Sequence, residues 1–153
     1  MARQIKATQE NNYTIEVVWH KAKNFPKKSG DYLYFMKGGH ITVAGFSAKW
    51  KIYNADDCLD LPYIRTEFHK RVVAWAKIPN HKFMVDRTTN PVHDFNSREQ
   101  YLCVRDEDDY ADFLWYNKIF DAFNSTDDDT LEKAKRFEIE VDRWCRIAPP
   151  TDF

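Results

Sequence analysis

Glycine and proline are scarce in this chain, four and six among 153 residues. So little of either leaves no room for a glycine-rich phosphate loop or a low-complexity tract, and no internal repeat is present. Cysteine is scarce too. Cys58, Cys103 and Cys145 are odd in number and stand in no C-x-x-C spacing, which argues against a disulfide framework or a zinc site and for reduced thiols in a cytosol. No apolar run reaches the length a membrane-spanning helix needs. The opening MARQIKATQENNYT has no apolar core of the secretory type. G-x-S-x-G, H-E-x-x-H and EF-hand patterns are all missing, and nothing in the sequence calls for a cofactor or a metal.

What the chain does have is rings. Aromatic residues make up 16% of it, enough to fill a tight core and leave rings over for a binding surface. At 18.3 kDa the chain is long enough for one domain with a full core. The net charge of −1 hides an asymmetry. Residues 1–100 hold 16 Lys and Arg against 10 Asp and Glu, whereas residues 101–153 hold 7 against 14. Such a split bears on partners, not on fold.

The chain is organised around Asp31–Phe46, DYLYFMKGGHITVAGF, which predicts a β-hairpin closed by Gly38-Gly39 in a two-residue type I′ turn. That turn sets Met36 opposite Ile41, Phe35 opposite Thr42 and Tyr34 opposite Val43. Residues 1–11 are expected to fray. Tyr13–His20 alternates as a half-buried strand, and residues 21–30 form a basic loop. Ser47–Tyr53 prolongs the hairpin strand or adds a fourth. Leu61, Ile64, Phe68, Val72 and Trp75 fall at helical spacing and predict a helix over 61–77. Lys82–Asp86 and Tyr101–Arg105 are short strand candidates, with a polar loop between them. Phe113, Leu114, Ile119, Phe120 and Phe123 predict a helix over 109–123. Leu131, Ala134, Phe137, Val141 and Trp144 predict another over 127–147, capped at Thr126. The expected fold is therefore α+β: a single domain over 1–153, with an antiparallel sheet around the 31–46 hairpin packed against about three helices.

Four groups of residues could carry function. Gly39-His40-Ile41-Thr42-Val43 resembles half of the signature of the two-histidine phosphoesterases, whose paired His-x-Thr/Ser motifs polarise a phosphodiester. His20, His69, His81 and His93 supply no second motif. His81, Asp86, Asn90, His93 and Asp94 could serve a metal-dependent nuclease or hydrolase, although polar loops collect the same residues to satisfy turns. Lys21, Lys23, Lys27, Lys28, Lys37, Lys49 and Lys51, interleaved with Trp19, Phe25 and Trp50, suit a nucleic-acid backbone. Lysines on strand edges also guard against aggregation. Finally, Asp106, Glu107, Asp108, Asp109, Asp112 and Asp121 stand with Trp115 and Tyr116 in a stretch where Lys118 is the one basic residue before Glu132. That set predicts a non-enzymatic protein of the inhibitor type, docking an acidic, aromatic helical surface onto a basic protein partner. The alternatives are a nucleic-acid-binding module on the basic sheet side, or a small metal-dependent nuclease or hydrolase at the His81–Asp94 loop.

Overall fold

A computed structural model of the chain describes residues 4–54, 67–88, 99–107, 111–126 and 131–151. It divides into two compact units, one of residues 3–16 and 79–148 and the other of residues 17–78 and 149–153. Each is built on its own sheet. The described residues hold eleven strands and two short α-helices, so the architecture is mainly β and not α+β with three helices.

The described residues of the unit 17–78 form five strands: β2 (His20–Lys21), β3 (Gly30–Met36), β4 (Ile41–Ser47), β5 (Ile52–Tyr53) and β6 (Val72–Ala76). They run antiparallel in the order β2-β6-β3-β4-β5. The β3–β4 hairpin is present, with its register moved by one residue: Phe35 lies opposite Ile41, Tyr34 opposite Thr42 and Leu33 opposite Val43. The reason is at the turn. Met36 N–H bonds to His40 O at 2.9 Å, so Lys37, Gly38 and Gly39 all belong to the loop. A one-residue slip turns the partner strand over. Tyr32, Tyr34 and Met36 therefore share a face with Thr42, Ala44 and Phe46, not with Ile41 and Val43.

That face is the core of the unit. Tyr34, Met36, Phe46, Tyr53, Val72 and Trp75 are buried together, with Tyr32, Phe25 and Phe68 packed against them. Gly38 and Gly39 keep φ of +102° and +94°, and a Cβ at either would meet nothing within 4 Å. Substituting Gly39→Val should consequently cost only backbone strain, about 1–2 kcal/mol for a residue forced into the left-handed region. Urea denaturation will read this, and an unchanged midpoint would mean that the loop does not need glycine there.

The other unit carries β1 (Thr14–Ile15), β7 (Val85–Asp86), β8 (Glu99–Val104), β9 (Ala111–Asn117), β10 (Ala122–Asn124) and β11 (Arg143–Ile147). The order is β1-β11-β8-β9-β10, with β7 also beside β11. The β1–β11 pair is parallel and the rest are antiparallel. Trp144, Tyr101, Tyr116, Phe123, Leu114 and Met84 are fully buried. Residues near the start of the chain are held: Ala7 is buried, and its N–H donates to Phe83 O at 2.8 Å.

The expected helices give way to strands for identifiable reasons. Of 61–77, residues 61–66 lie outside the described set, and one helical turn, α1 (Glu67–Arg71), is present. Val72–Ala76 then forms an inner strand, because a short apolar run flanked by two neighbours buries both faces. Over 109–123, the rings of Phe113, Trp115 and Tyr116 favour a pleated surface, and β9 turns through residues 118–121 into β10. Of 127–147, residues 127–130 lie outside the described set, helix α2 spans Leu131–Arg136, and β11 takes the end of the range. The single strand expected over 13–20 is two, β1 and β2, one in each sheet.

Candidate functional site

Strands β2 and β3 both run antiparallel to β6, so they run in the same sense. The chain leaving β2 must travel back along the sheet before β3 can begin. Residues 22–29, AKNFPKKS, make that return across the aromatic face. Phe25 is the anchor, 5.9 Å from Phe46, 5.6 Å from Tyr53 and 6.3 Å from His69, centroid to centroid. Pro26 beside it is buried.

Three ring donors hold this strap by its backbone. Tyr53 OH donates to Ala22 O at 2.6 Å, Trp75 Nε1–H to Asn24 O at 2.7 Å, and Tyr32 OH to Lys28 O at 2.7 Å. Burial raises the pKa of both tyrosine hydroxyls, so these donors keep their protons throughout the physiological range. His69 Nδ1 accepts the Tyr53 N–H at 3.1 Å and stacks on the same ring. Because the core bonds the carbonyls, the lysine side chains are left to solvent. Lys21, Lys23, Lys27 and Lys28 are all exposed.

The strap ends on a second basic segment. Ser29 Oγ accepts the Ala48 N–H at 2.8 Å, which brings Lys27 and Lys28 beside the turn of residues 48–51. Trp50 N–H bonds Ser47 Oγ at 3.2 Å, and Lys51 sits at φ +53°. This tight turn presents Trp50 at 38% exposure with Lys49 Nζ 4.8 Å from its ring centre. Lys37 is exposed in the hairpin loop. Of the three rings expected to stack on a ligand, Phe25 faces the core and Trp19 packs edge-on against Phe35 at 6.2 Å. Trp50 is left.

Charge follows the units. Among the described residues, the unit of 17–78 carries ten Lys and Arg against Asp31 and Glu67. The other unit is close to balance, ten against twelve. Lys21, Lys23, Lys27, Lys28 and Lys37 have no ion-pair partner among the described residues, where Lys70 pairs with Glu67.

The acidic set is placed differently. Asp108 and Asp109 lie outside the described residues. Asp106 and Glu107 follow β8, Asp112 is on β9, and Asp121 is in the turn between β9 and β10, toward the other end of the meander. Arg143 Nε donates to Asp106 at 3.2 Å, and His81 Nδ1 stands 3.9 Å from the same carboxylate. Arg87 bonds Asp121 O at 2.7 Å, stands 3.6 Å from its carboxylate and lies over the Phe123 ring. Tyr116 is 1% exposed and donates to Asp121 Oδ1 at 2.8 Å, while Trp115 is half-buried on β9.

Of the histidine loop, Asn90, His93 and Asp94 lie outside the described residues. Asp86 Oδ1 accepts from Thr88 N–H and Oγ1–H at 2.9 and 2.7 Å, the bonds of a polar turn. Among the described residues, no group of three or more His, Cys, Asp or Glu could hold a metal ion. His40 is exposed at the hairpin end, and His20 stacks on Trp75 at 4.4 Å. Cys103 and Cys145 are free and buried, and burial raises both thiol pKa values; Cys58 lies outside the described residues. No described helix is long and apolar enough to cross a membrane.

The sequence singled out the lysines but missed Tyr32, Tyr53, Trp75 and Ser29, which position them. No local pattern links Trp75 to Asn24 across 51 residues. Comparison of the chain with protein-family models, curated proteins and solved structures finds no match.

Proposed function

We propose that this is a non-enzymatic binding protein whose basic unit engages the phosphate backbone of a nucleic acid. The observation that carries this reading is the row of exposed lysines without ion-pair partners among the described residues, Lys21 at the end of β2 and Lys23, Lys27 and Lys28 on a strap whose backbone is bonded to the core. Cations kept apart from carboxylates and fixed in one segment attract a polyanion at long range, and their release of condensed counterions makes binding salt-dependent. The free, buried Cys103 and Cys145 support a reducing compartment as its location.

The test is fluorescence anisotropy of a labelled oligonucleotide titrated with the protein at several salt concentrations. Lys23→Gln, Lys27→Gln and Lys28→Gln together should weaken binding at least about tenfold and lower the log–log salt slope by roughly one per lost phosphate contact. The unfolding midpoint should not move, because exposed charges contribute little to stability. Equal affinity and slope in the triple variant would overturn the reading.

A second reading, docking of a basic protein partner on Asp106, Glu107, Asp112 and Asp121, is favoured by the excess of acids in residues 101–153. It stands below the first because Asp106 and Asp121 each already have an arginine.

A further inference from the structure

We infer that the form of nucleic acid this surface takes is single-stranded, with Trp50 as its base-stacking residue. The inference rests on the proposed binding through the strap and deepens it. A duplex hides the faces of its bases and offers phosphate and groove edges, so lysines alone would serve it. A single strand offers phosphates and unstacked base faces together, and proteins that bind it combine a basic track with aromatic rings.

Both parts meet at one place. The bond from Ala48 N–H to Ser29 Oγ joins the strap's end to the turn of residues 48–51, so Lys27 and Lys28 adjoin Lys49, Trp50 and Lys51. The ring is out of the core for a structural reason. Trp50 N–H is tied to Ser47 Oγ and the next residue takes φ +53°, which turns the chain back into β5 and sets Trp50 at the tip. Large apolar side chains are exposed at only a few described positions, and Trp50 is the one aromatic among those in this unit. Lys49 lies over the ring at 4.8 Å. A base on the exposed part of the ring would bring its own phosphate toward that ammonium, so stacking and charge pairing reinforce each other. The other rings near the strap cannot do this, because Phe25 and Tyr32 are committed to the core cluster.

The experiment compares labelled oligothymidylate of roughly twenty nucleotides with a duplex of equal length, using the whole chain as wild type, Trp50→Ala and Trp50→Phe. The expected result is that wild type prefers the single strand. Trp50→Ala should lose about tenfold on the single strand and nothing on the duplex, and Trp50→Phe should recover most of the loss. Circular dichroism should show all three equally folded, since the ring is at a surface turn. Equal losses on both probes, no loss on either, or a wild type that prefers the duplex would overturn the assignment of Trp50 while leaving binding through the strap intact. Wild type that binds heparin as tightly as the single strand, with Trp50→Ala unaffected on both, would reduce the surface to polyanion attraction and overturn it too. If wild type binds no oligonucleotide, the reading of the strap falls, and this one with it.

Discussion

Trp144→Ala should produce the largest loss of stability of any single substitution in the unit built on β8 and β11, about 3–5 kcal/mol in urea denaturation. Trp144 is fully buried on β11, and its neighbours come from three other strands or their approaches. It lies opposite Cys103 on β8 and Val85 on β7. Its ring is 4.8 Å from Tyr13, at the entry to β1, and 5.4 Å edge-to-face from Tyr101 on β8. Removing the ring takes away the burial of the largest side chain and opens a cavity that strands on both sides cannot close, because each is fixed by its own ladder. Packed aromatic pairs add about 0.5–1.5 kcal/mol beyond the area they bury, so Trp144→Phe should recover part of the loss. A loss below about 1 kcal/mol for the alanine variant would mean that the ring is not where β1, β7, β8 and β11 meet.

Trp144 also shows why helical spacing does not make a helix here. It falls at helical spacing after Leu131, Ala134, Phe137 and Val141, yet that stretch divides into one helical turn, a bridge from Ile139 to Phe123, and a strand. Apolar residues at i, i+3 and i+4 arise by chance in a chain with this many rings. The better signal was the residue types: Phe113, Trp115 and Tyr116 within seven residues, and Val72-Val73 beside Trp75, all favour a pleated surface. The 31–46 hairpin was legible because alternation and Gly38-Gly39 agree. Its register was not, because the number of loop residues depends on the bond between Met36 N–H and His40 O, which composition does not encode. In the basic set the lysines themselves were legible, as was Trp50. Illegible was what separates them from ordinary surface charge, the attachment of their backbone to Tyr32, Tyr53 and Trp75.

That attachment gives the second large effect. In the triple variant Tyr32→Phe, Tyr53→Phe, Trp75→Phe the rings stay and the donors go, leaving Ala22 O, Asn24 O and Lys28 O without their bonds. Each such bond contributes about 0.5–1.5 kcal/mol net. With the volume lost at Trp75, the strap's opening should become easier by about 3 kcal/mol, close to a hundredfold in the population of the opened form. Trypsin reports on that form directly, because Lys23, Lys27 and Lys28 all lie in the strap. Where opening and closing are fast relative to cleavage, nicking follows the opening equilibrium. Wild type should resist limited trypsin between Lys21 and Gly30, and the triple variant should be cut there well before its sheet unfolds. Oligonucleotide affinity should fall as well, although no lysine has been touched, because a loose strap must be ordered again on binding. Rapid cutting of wild type at these lysines would mean that the ring donors do not hold the strap. Unchanged affinity in a triple variant that trypsin does cut would mean that the lysines act without being fixed.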